Sequence, residues 1–372
     1  MALSYWEYKT WFSDVDFTIV GSGITGLSCA LELREIYPKA KILILERGAM
    51  PQGASTKNAG FACFGSVSEL LADLKTHTEE ELLNLVEMRV KGLETLRTRL
   101  GDAAIGFKKL GGYELFFQNQ QELYATCLES VEYINRLLYP LFDEAIFSIK
   151  PNIQNFRNIK SQLLFNKEEG ELDTGMMMRA LVNSAHDNHI QILNNCKVES
   201  YEDLVSSVAL KTSQAEFKTR KLFIATNAFA GRLNIAQVKP ARNQVLITKP
   251  IKDLKLTGTY HLDEGYTYFR TIDNRILLGG GRNLNLTGEQ TDSFGTTSQI
   301  QQYLEGVLKG TILPGISLEI EHRWSGILGV GDQKHPVLKS LSDNVFCGVR
   351  LGGMGIAIGS QVGKKLADLS RH

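Results

Sequence analysis

A chain of 372 residues with 43% hydrophobic and 22% charged residues is long enough for a large buried core and for two domains. Lys+Arg and Asp+Glu both number 41, so no overall field draws the chain to nucleic acid or an acidic membrane surface, and no apolar run approaches the roughly 20 residues of a spanning helix. The opening MALSYWEYKTWFSDVD lacks the cationic start and apolar run of a secretory signal, and the cysteines at 29, 63, 127, 196 and 347 are scattered without a CxxC pair, which together point to a cytoplasmic protein with free thiols.

The first predicted element is a short β-branched strand over 16–20, of the kind buried in a parallel sheet. It runs into Gly21-Ser22-Gly23-Ile24-Thr25-Gly26, and apolar residues at helical spacing follow over 27–36 before Tyr37-Pro38 stops the helix. A second apolar strand over 41–45 ends in Glu46, 20 residues beyond the last glycine. Three glycines at this spacing arise by chance roughly 0.3 times in such a chain, so the strand–loop–helix–strand–acid context decides the reading. Gly21 permits the tight turn, Gly23 lets the backbone approach a pyrophosphate, and Gly26 lets helix and strand pack closely. The helix N-terminus then faces the phosphates, and Glu46 accepts from ribose hydroxyls and repels a 2′-phosphate. A dinucleotide is expected here. Residues 47–66 are small and rich in Ser, Thr and Asn, which suits backbone folding over a long cofactor better than the next βα repeat of a nicotinamide enzyme.

Further along, helices are predicted over 79–100 and 121–138, a helix over 174–185, a strand over 190–193 and a returning parallel strand over 222–225. Tyr260, Tyr266, Tyr268, Ile276 and Leu278 alternate as in antiparallel strands. The end of the chain reads as an apolar strand (345–349), the glycine turn RLGGMG and an amphipathic helix over 356–369. Polar stretches at 119–122 and 167–170 are boundary candidates. His186 and His189 could share a face as metal ligands, but no carboxylate or cysteine supports them, so no metal is expected.

"GASTKNAG" (53–60) resembles the GAS-x-[RK]-N-x-G segment of flavoproteins in the D-amino acid oxidase and glycine oxidase superfamily. The likeness recurs in order: "LFIATNAFAGRL" (222–233), "VKPARNQVLITKPI" (238–251), "YFRTIDNRILLGGG" (268–281), "RWSGILGVGDQKHPVL" (323–338) and "NVFCGVRLGGMGIAIGSQVGKKLADL" (344–369). Within that superfamily, the chain is most similar to γ-glutamylputrescine oxidase-like proteins. The resemblance implies a Rossmann-type α/β FAD-binding domain, discontinuous over 1–75, 150–235 and 320–372. A second, substrate domain on an antiparallel sheet would take 76–149 and 236–319. It implies resident FAD, contacted by Arg47 beside Glu46, by Ala54, Ser55, Asn58, Ala59, Gly60 and Phe61, and by Val198 at the adenine. Ala225, Thr226, Asn227 and Gly326 would contribute further contacts, with Gly353, Met354, Gly355 and Ile356 toward the pyrimidine edge of the ring.

An oxidised flavin is the electron sink, so the protein needs only to place a substrate C–H and exclude water. The expected reaction is oxidation of the C–N bond of an amine or amino acid, with O2 or another acceptor taking the electrons. Tyr268, Arg270, Trp324 and Arg350 are the candidates for orienting the substrate. Three departures qualify the resemblance. Glycine oxidases carry a carboxylate-holding arginine just after W-x-G, where this chain has residues 327–330 (Ile-Leu-Gly-Val). Sarcosine oxidases carry a lysine near Leu277 and a flavin-bonded cysteine near Ser325, so the FAD here is expected to be non-covalent. A 2-hydroxy-acid dehydrogenase and a catalytically silent flavin-binding subunit remain open as alternatives. The balanced charge speaks against an RNA-modifying flavoenzyme of the same fold. Oligomeric state is left open.

Overall fold

The computed structural model describes residues 3–371. Strand Val15–Val20 is buried almost throughout and pairs in parallel with Ile42–Leu45 on one side and Glu216–Ile224 on the other. Further parallel strands flank these, Gln191–Leu193 beside Ile42–Leu45 and Val345–Val349 beside Glu216–Ile224. Val337–Ser340 closes one edge antiparallel, and a hairpin of Val198–Asp203 and Val208–Thr212 leans off the long strand Glu216–Ile224. The apolar runs noted in the sequence are therefore the centre of one sheet, covered on both faces as continuous hydrophobic strands must be.

Helix Ile24–Ile36 lies on one face of this sheet beside the terminal helix Gly355–Asp368. Gly363 makes their close approach possible, since a Cβ there would stand 2.6 Å from the Thr25 carbonyl oxygen. Helices Glu79–Leu100 and Thr174–Asp187 complete this layer around a core that includes Leu27, Leu33, Leu93, Leu181, Phe223 and Phe346.

The second sheet has eight strands in the order 320–330, 239–248, 275–280, 267–272, 259–262, 112–115, 162–166, 147–151. All neighbours are antiparallel except Thr259–Leu262 with Gly112–Leu115. The hairpin expected at 268–281 is present, turning at Asp273 and Asn274, both with positive φ as a tight right-twisting turn requires. Helix Ser298–Val307 covers one face around Tyr260, Phe269 and Leu278. Helix Gln121–Phe142 buries Cys127, Val131, Ile134 and Leu138 against Phe116, Phe147 and Leu164.

The sheet pairing departs from the expected segments in two places. Strands Gln162–Asn166 and Ile320–Val330, expected with the dinucleotide layer, pair in the second sheet, and Phe147–Pro151, which straddles the expected boundary at 149/150, pairs there too. The reason is pairing: Ile320–Val330 has Lys239–Thr248 as its partner along its whole length, and sequence order does not reveal that partner. Among the described residues no helix is long and apolar enough to cross a membrane.

Candidate active site

Between the two sheets lies a cavity of about 890 Å³, bordered by the glycine loop, the 53–61 segment, the start of the terminal helix and one face of the second sheet. This is the size range of a buried small-molecule site.

The glycine loop is built as the sequence implied. Gly21 has φ +103, and a Cβ there would stand 2.9 Å from the Ala225 carbonyl oxygen. Gly23 caps the helix N-terminus without a side chain of its own; instead Ser55 Oγ accepts from the Ile24 N–H at 3.0 Å. Gly26 does not line the cavity, because its Cα faces the Gly21 carbonyl oxygen, on which a Cβ would fall. Ser22 also stays behind the wall: its N–H and hydroxyl donate to Glu46 Oε2 at 3.2 and 2.8 Å. Glu46 Oε1 accepts from the Gly48 N–H at 3.0 Å. The carboxylate is 5% exposed and borders the cavity, with lone pairs left over for a ligand.

The 53–61 segment is fastened by its own side chains. Asn58 donates to the Ala54 and Ser55 carbonyls at 3.2 and 2.8 Å, and its Oδ1 accepts from the Gly60 N–H and the Thr174 hydroxyl at 2.9 and 2.8 Å. Gly60 has φ +78 and packs on the Leu172 carbonyl, outside the cavity. Ala54, Ser55, Asn58, Ala59 and Phe61 all border the cavity. So do Ile24, Thr25, Arg47, Val198, Ala225, Thr226, Asn227, Gly326, Gly353, Met354, Gly355 and Ile356. Asn227, at φ +44, accepts from the Arg350 and Leu351 N–H groups, both at 3.1 Å, and so shapes the turn that precedes the terminal helix.

Three of the four expected substrate-orienting side chains do something else. Arg270 is 2% exposed and absent from the cavity wall; it donates to the Ala59 and Leu172 carbonyls at 2.6 and 2.8 Å and pairs with Glu171 at 3.2 Å. Trp324 Nε1 donates to the Lys57 carbonyl at 3.0 Å, and its ring packs with Ala59, Val245 and Leu277. Arg350 donates to the His335 carbonyl at 3.0 and 2.8 Å and to the Gln237 carbonyl at 3.3 Å, tying loop 331–336 to the second sheet's edge. Each has turned its donors to backbone carbonyls, and Arg270 also to Glu171, so all three are positioning residues. Tyr268 alone of the four reaches the cavity, where its hydroxyl accepts from Asn243 Nδ2 at 2.9 Å.

Further charged and aromatic groups stand at the two ends of the wall. Arg47 stacks 3.7 Å from the Phe229 ring, and both border the glycine-loop end with Arg232. At the other end the second sheet presents His261 and Arg282, and helix Val67–Leu74 presents Glu69 and Asp73. Burial pushes the Cys63 thiol on this wall far above its usual range, so it stays protonated. Thr25, Thr226 and Asn243 border the same space, and Thr25 Oγ1, Thr226 Oγ1 and Asn243 Oδ1 are buried and have no hydrogen-bond partner among the described residues. Buried polar atoms are seldom left unpaired, so these fit a polar ligand along the length of the cavity.

The family model described as DAO, FAD dependent oxidoreductase, matches residues 16–369. The chain belongs to this family. Among curated relatives it is 21% identical to probable oxidoreductase OrdL of Haemophilus influenzae and 23% identical to γ-glutamylputrescine oxidoreductase of Escherichia coli, each covering 96% of this chain and 83% of the relative. Glycine oxidase from Geobacillus kaustophilus has the same fold, with TM-score 0.75 at 19% identity over 96% of this chain and 94% of that one. As an FAD-dependent oxidoreductase the chain has the expected cofactor, and the site fits it. The glycine cradle leaves no room for a Cβ, the helix N-terminus at Met354 has no side-chain cap and that at Gly23 commits only its Ile24 N–H to Ser55, so both offer donors to anionic groups, and Glu46 stands held beside the loop.

Proposed function

We propose that this FAD-dependent oxidoreductase oxidises the C–N bond of an amine or amino acid, the imine product then being hydrolysed by water. The observation that carries this reading is Asn243 at the second-sheet side of the cavity. Its amide donates to Tyr268 while its buried Oδ1 lacks a donor, which leaves one acceptor for a substrate N–H. Bound FAD supplies the electron sink that takes the hydride from the substrate carbon. The chain's own residues do the rest. Asn243 orients the nitrogen, Tyr268 and Val245 form an amphipathic and apolar floor, and Ile327 and Leu328 exclude water along the adjoining strand. The nitrogen loses its proton, the carbon loses its hydride, and O2 or another acceptor finally takes the two electrons.

The test is anaerobic spectrophotometry of the purified holoenzyme against amines, amino acids and 2-hydroxy acids. Amines or amino acids should bleach the flavin and hydroxy acids should not; bleaching by hydroxy acids alone would replace the reading with alcohol oxidation.

We further propose that the FAD is not bonded to the chain. Ser325, near where the resemblance puts the flavin-bonded cysteine of sarcosine oxidases, is buried and its Oγ accepts from the Gly295 N–H at 3.0 Å. Acid precipitation should release all the yellow colour to the supernatant. Colour held in the pellet would point to Cys63, the thiol on the wall beside Met354, and would end the non-covalent reading.

A further inference from the structure

We propose that residues 289–297 form a strap that opens and closes over the glycine-loop end of the cavity, and that its opening sets how fast FAD enters and leaves. This rests on the non-covalent FAD proposed above and is independent of which substrate is oxidised.

The strap is pinned to the second sheet at both ends. After strand Arg275–Gly280 the chain turns through Arg282–Asn285 and reaches Glu289, which is 2% exposed. The Glu289 carboxylate accepts from two Arg242 nitrogens at 2.8 and 2.9 Å and from Gln244 Nε2 at 3.0 Å, and its carbonyl accepts from the Arg242 N–H at 2.7 Å. A forked arginine–carboxylate pair of this kind is among the strongest polar contacts a protein makes. At the other end the Gly295 N–H donates to Ser325 Oγ at 3.0 Å, and the Thr297 N–H donates to Gln244 Oε1 at 2.9 Å just before helix Ser298–Val307. The buried amide of Gln244, on strand Lys239–Thr248, thus serves both pins.

Between the pins, residues 290–296 are neither helix nor strand and are exposed or half-buried. They reach across to the dinucleotide side through two side chains. Asp292 Oδ2 accepts from Arg232 Nε and from a terminal guanidinium nitrogen at 2.9 and 2.6 Å. The Phe294 ring lies 6.3 Å from the Phe229 ring, with Lys57 Nζ 5.1 Å from its centroid. Arg232, Phe229 and Lys57 border the cavity, whereas Asp292 and Phe294 do not. The strap therefore holds the wall from outside, at the end where Arg47 stacks on Phe229 next to Glu46.

This middle hold is weak beside the pins. The side chains of Arg232 and Asp292 are 48% and 35% exposed, and ion pairs with such access to water are screened by salt and contribute little. Phe294 is 41% exposed, so its contacts shield it on one side only. Gly295, at φ +129 with open space where a Cβ would stand, supplies a joint at the second pin. A segment with strong ends, a weak middle and few buried contacts opens locally while the sheet beneath it stays intact. Since neither Asp292 nor Phe294 borders the cavity, weakening the middle lowers the barrier to passage in both directions without removing a wall contact.

The experiment follows flavin fluorescence during FAD uptake by the apoprotein and FAD release from the diluted holoenzyme, in wild type, Asp292→Asn, Phe294→Ser and the double variant. Uptake and release should quicken together, about fivefold in each single variant and about tenfold or more in the double, with Kd nearly unchanged. Molar salt should speed release from wild type and leave Asp292→Asn unaffected. Unchanged rates in the double variant, or faster release with unchanged uptake, would overturn the proposal, the latter because it marks a lost binding contact. Colour retained in an acid pellet would sink the non-covalent reading instead. Opening of the strap is then read by chymotryptic cleavage after Phe294 in the holoenzyme, which should quicken in Asp292→Asn. Equal cleavage of the two proteins would overturn the strap as well.

Discussion

Gly26→Ala is expected to give a folded but colourless protein. A Cβ at residue 26 falls on the Gly21 carbonyl oxygen and 3.3 Å from the Ile19 side chain, so the helix and the loop must separate. The loop backbone cannot yield freely, because Gly21 is itself held against the Ala225 carbonyl. Overpacking of this kind costs about 1–3 kcal/mol, and where the displaced element is the phosphate cradle that energy comes out of cofactor binding, about 10- to 100-fold in affinity. The flavin absorbance per chain after purification, and the FAD needed to restore it, measure the effect. A variant that keeps its full complement of FAD at nanomolar concentrations would show that the cradle is not formed as described.

The second large effect is expected at Arg270, and on stability before activity. Arg270→Met keeps the apolar stem but leaves Glu171 without its cation and the Ala59 and Leu172 carbonyls without their donors. Removing one partner of a buried ion pair costs about 3–5 kcal/mol, a large share of the stability of an ordinary domain. Denaturant midpoints of the two proteins, read by fluorescence and by circular dichroism, give the difference. A substrate-binding arginine would behave in the opposite way, with an unchanged midpoint and a raised KM.

These two residues also show how much could be read from the sequence. Gly26 was legible because its role is local: strand, loop and helix are contiguous, and the spacing to Glu46 is fixed by one βαβ unit. Arg270 was not. Its alternation in the hairpin placed it correctly on a strand, but whether a guanidinium meets ligand or carbonyl depends on segments 98 and 211 residues away. For the same reason the sequence places Trp324 and Arg350 near the cofactor segments but does not show that their donors point at Lys57 and His335. The membership of strand Ile320–Val330 in the second sheet, and the pairing of His261 with Glu169 across 92 residues, are likewise long-range facts that no periodicity encodes. Legibility ended where contact order rose.

The packing of helix Gly355–Asp368 on helix Ile24–Ile36 joins the two rims of the trough. Helix Ile24–Ile36 begins at the phosphate cradle, and Gly355–Asp368, whose own N-terminus borders the same cavity, packs along it. Whatever unseats the later helix therefore loosens both ends of the coenzyme's seat together, so fraying of that contact and escape of the yellow group are expected as one event.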